Sequence, residues 1–318
     1  NNIIIFDGEG TIIKLDQNLK KIWKKNFYNK KEKKLKPKLN FAIDDNIIII
    51  TDSLSNFYAV SSLDGILIWK KTNNASFNAQ IKIQENKFYT VDNDNIIRSY
   101  NIKNGSQNWE YKTENTFIKS SKKASIALDK KNIYFINPLG DVISINLKEG
   151  YLNWQLPTQS STVVADTFSK FYSDIVHDDN SLYFSNNKNE FYSINSDTGK
   201  ILWLQTINSI FAPIILEKLI FTISSNDYLV VLEKKSGNII RSTKILSKNK
   251  KDNLNINNFL LIKNKALISS GYGSILIVNI LDGEIESYKN LSNDKFSRPV
   301  ILNKNLYFLE KNKITRFE

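Results

Sequence analysis

One spacing recurs along this chain and limits what it can fold into: a glycine followed four residues later by tryptophan. Gly65 precedes Trp69, Gly105 precedes Trp109, Gly150 precedes Trp154 and Gly199 precedes Trp203. Two further copies keep the glycine and lose the tryptophan, Gly237 with Arg241 and Gly283 with Ser287. A copy near the start keeps Trp23 but has Leu19 at the glycine position. The period is roughly 40–50 residues, the range of β-propeller blades.

Each repeat reads as four short strands. In Phe41–Thr72 the strands are Phe41–Ile43, Ile47–Thr51, Phe57–Ser61 and Ile66–Lys71, with polar turns between them. The last turn of each unit carries a dipeptide such as Asp64-Gly65, Asn104-Gly105 or Glu149-Gly150. Glycine suits a tight hairpin that needs a residue at positive φ. β-Branched and aromatic residues fill the strands, as a half-buried pleated surface prefers. No helical period of useful length competes with this pattern.

A four-stranded sheet cannot bury both of its faces alone. Stacking such sheets radially buries them on one another and leaves short, protected edges. The expected fold is therefore all-β: a single β-propeller of four-stranded antiparallel blades spanning residues 1–318. Six units are complete. The start supplies three strands (Asn2–Phe6, Thr11–Leu15, Lys21–Lys25) and the end three more (Arg298–Leu302, Leu306–Leu309, Lys313–Phe317). Eight blades are expected, with closure involving both termini, and seven are the alternative. In such a ring Trp23, Trp69, Trp109, Trp154 and Trp203 are packing residues that fill the gap between neighbouring blades. Gly65, Gly105, Gly150 and Gly199 are turn residues.

Composition narrows the chemistry. Cysteine is absent, which removes disulfides, thiolate zinc sites and thiol nucleophiles together. The one histidine, His177, forbids a multi-histidine metal site, and no G-x-S-x-G elbow accompanies it. It sits in Asp174-Ile-Val-His-Asp-Asp, at a strand end leading into a turn. The formal net charge is +12. Much of it reflects broad use of lysine, but Lys20–Lys38 concentrates it: Lys20, Lys21, Lys24, Lys25, Lys30, Lys31, Lys33, Lys34, Lys36 and Lys38. The second half of that stretch is expected to be a solvated loop. A nucleic-acid surface would interleave lysines with free aromatics. Trp23 already belongs to the repeat, so no nucleic-acid partner is expected, and an anionic membrane surface fits this stretch at least as well.

The segment Ser193–Trp203 (SINSDTGKILW) resembles the tryptophan-docking motif of pyrroloquinoline-quinone-type propellers, as do Ala59–Trp69 (AVSSLDGILIW) and Ser144–Trp154 (SINLKEGYLNW). That motif reports blade packing. Within the superfamily the chain resembles the BamB family of outer-membrane β-barrel assembly lipoproteins, in its α-proteobacterial form. The run Ser209–Phe221 (SIFAPIILEKLIF) and the long polar connection Gln159–Ser173 carry this resemblance.

The resemblance implies a non-catalytic scaffold without cofactor or metal. It implies residence at the periplasmic face of the outer membrane, held by a lipid on a segment upstream of Asn1, as a monomer within a hetero-complex. The implied partners are the POTRA domains of BamA and unfolded outer-membrane proteins. In that family two neighbouring interblade loops bind the partner, one apolar and basic, the other carrying aspartates. Their counterparts here are Phe117-Ile118-Lys119 and Asp166, with Asp174. Lys119 stands where the family has arginine, and lysine lacks the planar bidentate fork. The alternatives are a quinone-dependent dehydrogenase-like propeller and a ligand-binding or sensor propeller using its channel. Such dehydrogenases carry a vicinal cysteine pair, which this chain does not have.

Overall fold

The computed structural model describes residues 2–113, 123–158, 171–245, 255–271, 273–292, 297, 299–310 and 313–317. It is an all-β propeller of eight antiparallel sheets, six of four strands and two of three among the described residues. The first sheet is β1 (Ile3–Phe6), β2 (Thr11–Leu15) and β3 (Lys21–Asn26). The second is β4 (Leu39–Asp44), β5 (Ile47–Asp52), β6 (Asn56–Ser61) and β7 (Leu67–Thr72). The third runs from β8 (Lys82–Gln84) through β9 (Lys87–Val91) and β10 (Ile96–Asn101) to β11 (Gln107–Lys112). The fourth comprises β12 (Ile126–Leu128), β13 (Asn132–Ile136), β14 (Asp141–Asn146) and β15 (Leu152–Pro157). The fifth, β16 to β19, starts at Val176–Asp178 and ends at Ile201–Gln205; the sixth, β20 to β23, runs from Ile214–Leu216 to Ile239–Lys244. The seventh, β24 to β27, starts at Ile256–Ile262 and ends at Ile285–Asn290; the eighth is β28 (Val300–Leu302), β29 (Asn305–Glu310) and β30 (Lys313–Phe317). In every sheet strands pair in sequence order.

The chain divides into two compact units. One is Asn1–Tyr183 with Ile194–Leu202, the other Phe184–Ser193 with Trp203–Glu318. In the first unit middle strands such as β5 and β13 are buried on both faces, which is why Ile47–Ile50 and Ile133–Ile136 read as unbroken apolar runs rather than alternating ones. Alternate residues still go opposite ways. Ile48, Ile50, Tyr58 and Val60 pack with Ile12 and Trp23 of the first sheet. Ile49, Phe57 and Ala59 pack with Phe88 and Tyr100 of the third. Tyr89, Val91 and Ile97 turn to Ile133, Phe135 and Ile143 of the fourth. The second unit repeats the scheme. Phe221, Leu229 and Val231 meet Phe259, Ile268 and Leu276, and Leu267 and Ile275 meet Phe308.

The glycine–tryptophan repeat works across sheets, not within them. Each indole reaches the next sheet's hairpin. Trp23 Nε1 donates to Ser62 O at 3.2 Å, Trp69 to Ile102 O at 2.8 Å and Trp109 to Leu147 O at 3.1 Å. Trp154 donates to Ser196 O at 2.9 Å and Trp203 to Lys234 O at 3.1 Å. The rings lie on Gly65, Gly105, Gly150, Gly199 and Gly237 respectively, where an added Cβ would fall 2.5–2.9 Å from a ring atom. The glycine therefore answers two demands. Gly150 sits at φ 80° in its hairpin and also leaves room for Trp109. Leu19 occupies the corresponding turn at φ 62°, so the turn alone does not require glycine.

The basic stretch departs from the sequence expectation of a loop. Residues Lys30–Lys34 form a short helix, α1, with Asn29 as N-cap. Asn29 Oδ1 accepts from Lys31 N (2.9 Å) and Glu32 N (3.0 Å), and Glu32 Oε2 accepts from Asn29 N (2.8 Å). This reciprocal capping box satisfies orphan donors of the first turn and explains helix in a run otherwise read as charge alone.

Candidate partner interface

Two long connections enter the first strands of the fourth and fifth sheets. Phe117, Ile118, Lys119 and Asp166 lie on them, outside the described residues. The described ends of both connections are pinned to the third sheet. Ala79 and Ala124 form a parallel bridge, with Gln80 N donating to Ala124 O (3.0 Å) and Ala124 N to Asn78 O (2.8 Å). Gln80 then uses both ends of its amide. Its Nε2 donates to Asp174 Oδ2 (3.0 Å), and its Oε1 accepts from Ile126 N (3.4 Å). Ile175 N donates to Ser125 Oγ at 3.1 Å. Asp174 is therefore a fixed carboxylate tied to the third sheet's entry.

Two lysines share its field. Burial lowers the pKa of Lys82, with Asp174 opposing the shift. Lys123 is lowered by withdrawal of its ammonium from water, opposed by Asp174 and helped by repulsion from Lys82. The result is a preorganised patch with two cationic groups, one anionic group and an amide bridge. A complementary partner surface would offer a carboxylate to the lysines. Sequence reasoning found Asp174 but missed Gln80, Lys82 and Lys123. Gln80 and Lys82 lie at the entry to the third sheet, Lys123 at the entry to the fourth and Asp174 at the entry to the fifth, and only the fold brings them together.

Beside this patch a cavity of about 70 Å³ lies between the third and fourth sheets, lined by Asn78, Asp92, Asn95, Lys123, Asn137 and Tyr172, among others. That is far below the roughly 300 Å³ at which small-molecule sites begin. Its polar floor is occupied internally. Asp92 Oδ1 accepts from Asp94 N (2.9 Å) and Ile96 N (3.1 Å), and its Oδ2 accepts from Asn73 Nδ2 (3.1 Å) and from Arg98. Arg98 also donates from Nε to Glu110 Oε2 at 3.0 Å. Burial would lower the Arg98 pKa, but its carboxylate partners outweigh this and raise it. Tyr172 OH lies 3.1 Å from Thr158 Oγ1, which donates to Gly140 O at 2.6 Å. Phe171, 42% exposed, stands at the cavity's edge.

His177 sits where the sequence places it, at a strand end leading into a turn, and its ring is packed. It lies in β16, its ring stacked on Tyr134 at 5.7 Å, with Nε2 3.8 Å from Asp129 Oδ2. Asp129 accepts from Tyr134 OH (2.5 Å) and from Lys131 N and Asn132 N (2.6 Å each). Burial would raise this carboxyl, but these donors hold it below its ordinary value. Among the described residues no three His, Cys, Asp or Glu side chains gather in a metal-binding group. No described helix is long and apolar enough to cross a membrane.

The family model described as "Outer membrane protein assembly factor BamB" matches residues 8–243. Among curated proteins, no sequence matches. Of solved structures, BamB from Moraxella catarrhalis superposes with a TM-score of 0.80 at 17% identity, covering 99% of this chain and 92% of that one. The computationally designed Ika8 protein gives 0.76 at 10% identity, over 100% of this chain and 93% of that one. The C-terminal WD40 domain of Sif2 gives 0.74 at 9% identity, over 98% and 90%. At such identities these likenesses concern fold, and a designed protein and a WD40 domain among them illustrate that fold alone does not carry function.

Proposed function

The chain belongs to the outer membrane protein assembly factor BamB family, and from that premise we propose that it is a non-catalytic scaffold subunit of the outer-membrane β-barrel assembly machinery. It docks on the periplasmic POTRA domains of BamA and aids delivery of unfolded outer-membrane proteins, at the periplasmic face of the outer membrane, anchored by a lipid. The observation that carries this reading is the family match over residues 8–243. Phe117, Ile118 and Lys119 supply an apolar and basic anchor, and Asp166 with Asp174 supplies the acidic complement. Support comes from the frame beneath these connections. Gln80, Ser125 and Asp174 fix where the two connections enter the fourth and fifth sheets, so a partner meets a surface whose ordering cost is partly met beforehand.

The test is calorimetric titration of the full chain with the purified POTRA region of BamA. Saturable one-to-one binding is expected. Changing Phe117, Ile118 and Lys119 together to alanine should weaken it at least about tenfold, the scale of a modest hot spot, with far-UV circular dichroism unchanged. Absence of binding at about 100 μM, or binding indifferent to the triple change, would sink the proposed interface.

A further inference from the structure

Between the first and second sheets the chain builds a small basic projection whose chemistry fits a lipid surface. Lys30, Lys31, Lys33, Lys34, Lys36 and Lys38 are all exposed. Among the described residues none of their ammonium groups enters an ion pair. The acidic residue inside the run, Glu32, is half-buried and engaged with the Asn29 backbone at 2.8 Å and with Lys70 at 3.9 Å. It therefore subtracts little from the outward charge. In the middle of these lysines stands Leu35, the C-cap of α1 and 66% exposed.

The projection is held rigidly. Tyr28 at its base is buried and donates to Asp52 Oδ2 at 2.6 Å. Lys70 donates to Phe27 O at 3.2 Å and lies 5.3 Å from the Tyr28 ring centre. At the far end Lys38 N donates to Ser53 Oγ and Ser53 N to Lys38 O, both at 3.0 Å. Lysines and leucine are thus presented outward by a fixed frame.

We propose that this projection seats the protein on an anionic phospholipid bilayer, with the lysines at the phosphate layer and Leu35 entering between headgroups. Clusters of four to eight basic residues bind anionic lipid surfaces, and an apolar residue among them adds burial that a purely ionic contact lacks. A nucleic acid would want free aromatic faces. Here Trp23 and Tyr28 are buried and Phe27 packs on Tyr58 at 5.5 Å. The inference goes beyond the assembly-factor reading and survives its failure, because the assay below contains no protein partner.

The experiment is co-sedimentation of the full chain with equimolar phosphatidylcholine–phosphatidylglycerol vesicles, with pure phosphatidylcholine vesicles alongside. Binding is expected only to the anionic vesicles, and it should fall steeply with salt. Replacing Lys30, Lys31, Lys33 and Lys34 by glutamate, or by glutamine as a milder set, should cut binding more than about tenfold, since each lysine near an anionic surface contributes up to about fivefold. Leu35→Ser should weaken binding severalfold and leave its salt dependence intact. A control carries the same charge change at exposed turn lysines elsewhere (Lys103, Lys200, Lys218 and Lys263 to glutamate) and should keep most of the binding. Equal loss in that control would assign the effect to net charge and overturn the proposal. So would equal binding to neutral vesicles, or binding to polyglutamate or duplex DNA with none to anionic vesicles.

Discussion

The junctions made by Trp203 and Arg241 solve one problem with different chemistry. Trp203 lays its ring on Gly237, donates to Lys234 O at 3.1 Å and stacks on Phe191 at 5.7 Å. Arg241, at the matching position one sheet later, donates its guanidinium to Ile280 O and Leu281 O. The receiving hairpin still carries a glycine, Gly283, although an added Cβ there would meet Thr243 Oγ1 and Arg241 rather than an indole. The receiving end of the joint, glycine and carbonyl, is thus kept while the donor changes from an apolar staple to a polar clamp. An indole buries a large flat surface together with its one hydrogen bond. A guanidinium makes more hydrogen bonds but covers less apolar area, and it tolerates water better.

The sharpest way to break the comparison is at an indole-bearing glycine. Gly150→Ala places a Cβ 2.5 Å from Trp109 Cδ2 and at φ 80°. The backbone conformation costs about 1–2 kcal/mol, and displacing the ring from its bond to Leu147 O costs about 1 more. A loss of about 2–3 kcal/mol is expected in urea unfolding. A loss below about 1 kcal/mol would mean that the indole is not held as described.

Alkali should separate the two kinds of junction next. Tyr89 packs on Trp109 at 5.9 Å and is 1% exposed. Burial pushes its hydroxyl up from 10.0 to about 12, with a Ser99 hydrogen bond opposing the shift and Glu85 adding to it. The folded pKa is raised, so this contribution is complete below the unfolded value of 10.0 and is lost as pH rises towards 12. Tyr89→Phe should therefore narrow the stability gap between about pH 8 and pH 11.5 by about 2 kcal/mol. An unchanged gap would show that Tyr89 ionises equally in folded and unfolded chains.

Much of this fold can be read from the chain because its signals are local. The strand at Thr11–Leu15 and the hairpin glycines follow from apolar runs and turn residues, and the structure places them where the pattern does. Other features required the fold. Gly150 and Trp154 are neighbours in sequence, yet Gly150 serves Trp109, 41 positions earlier, and no local rule gives that pairing. The capping box at Asn29 and Glu32 is a local signal overlooked beneath a run of lysines. At the candidate interface, Asp174 was legible only as an acidic residue on a long connection. Its tie to Gln80 spans 94 positions. Sites assembled from several sheets leave no periodic trace, whereas packing repeated in every sheet does.

The smallest expected effect tests whether the slot above Gly283 still fits an indole. Arg241→Ala removes both bonds to the Ile280 and Leu281 carbonyls, groups near enough to the surface for water to replace the donor, so the loss should be about 1 kcal/mol. Arg241→Trp alone meets Thr243, whose Oγ1 lies 2.3 Å from where a Cβ on Gly283 would stand. At the Trp203 junction the residue two places on is Gln205, which donates instead to Gly237 O at 3.0 Å. Arg241→Trp combined with Thr243→Gln should therefore rebuild the indole junction and match or exceed the natural chain in urea midpoint, while Arg241→Trp alone falls between it and Arg241→Ala. If the double variant were less stable than Arg241→Ala, the hairpin at Gly283 would have lost more than its tryptophan, and the arginine would be a necessity of that joint rather than a substitute.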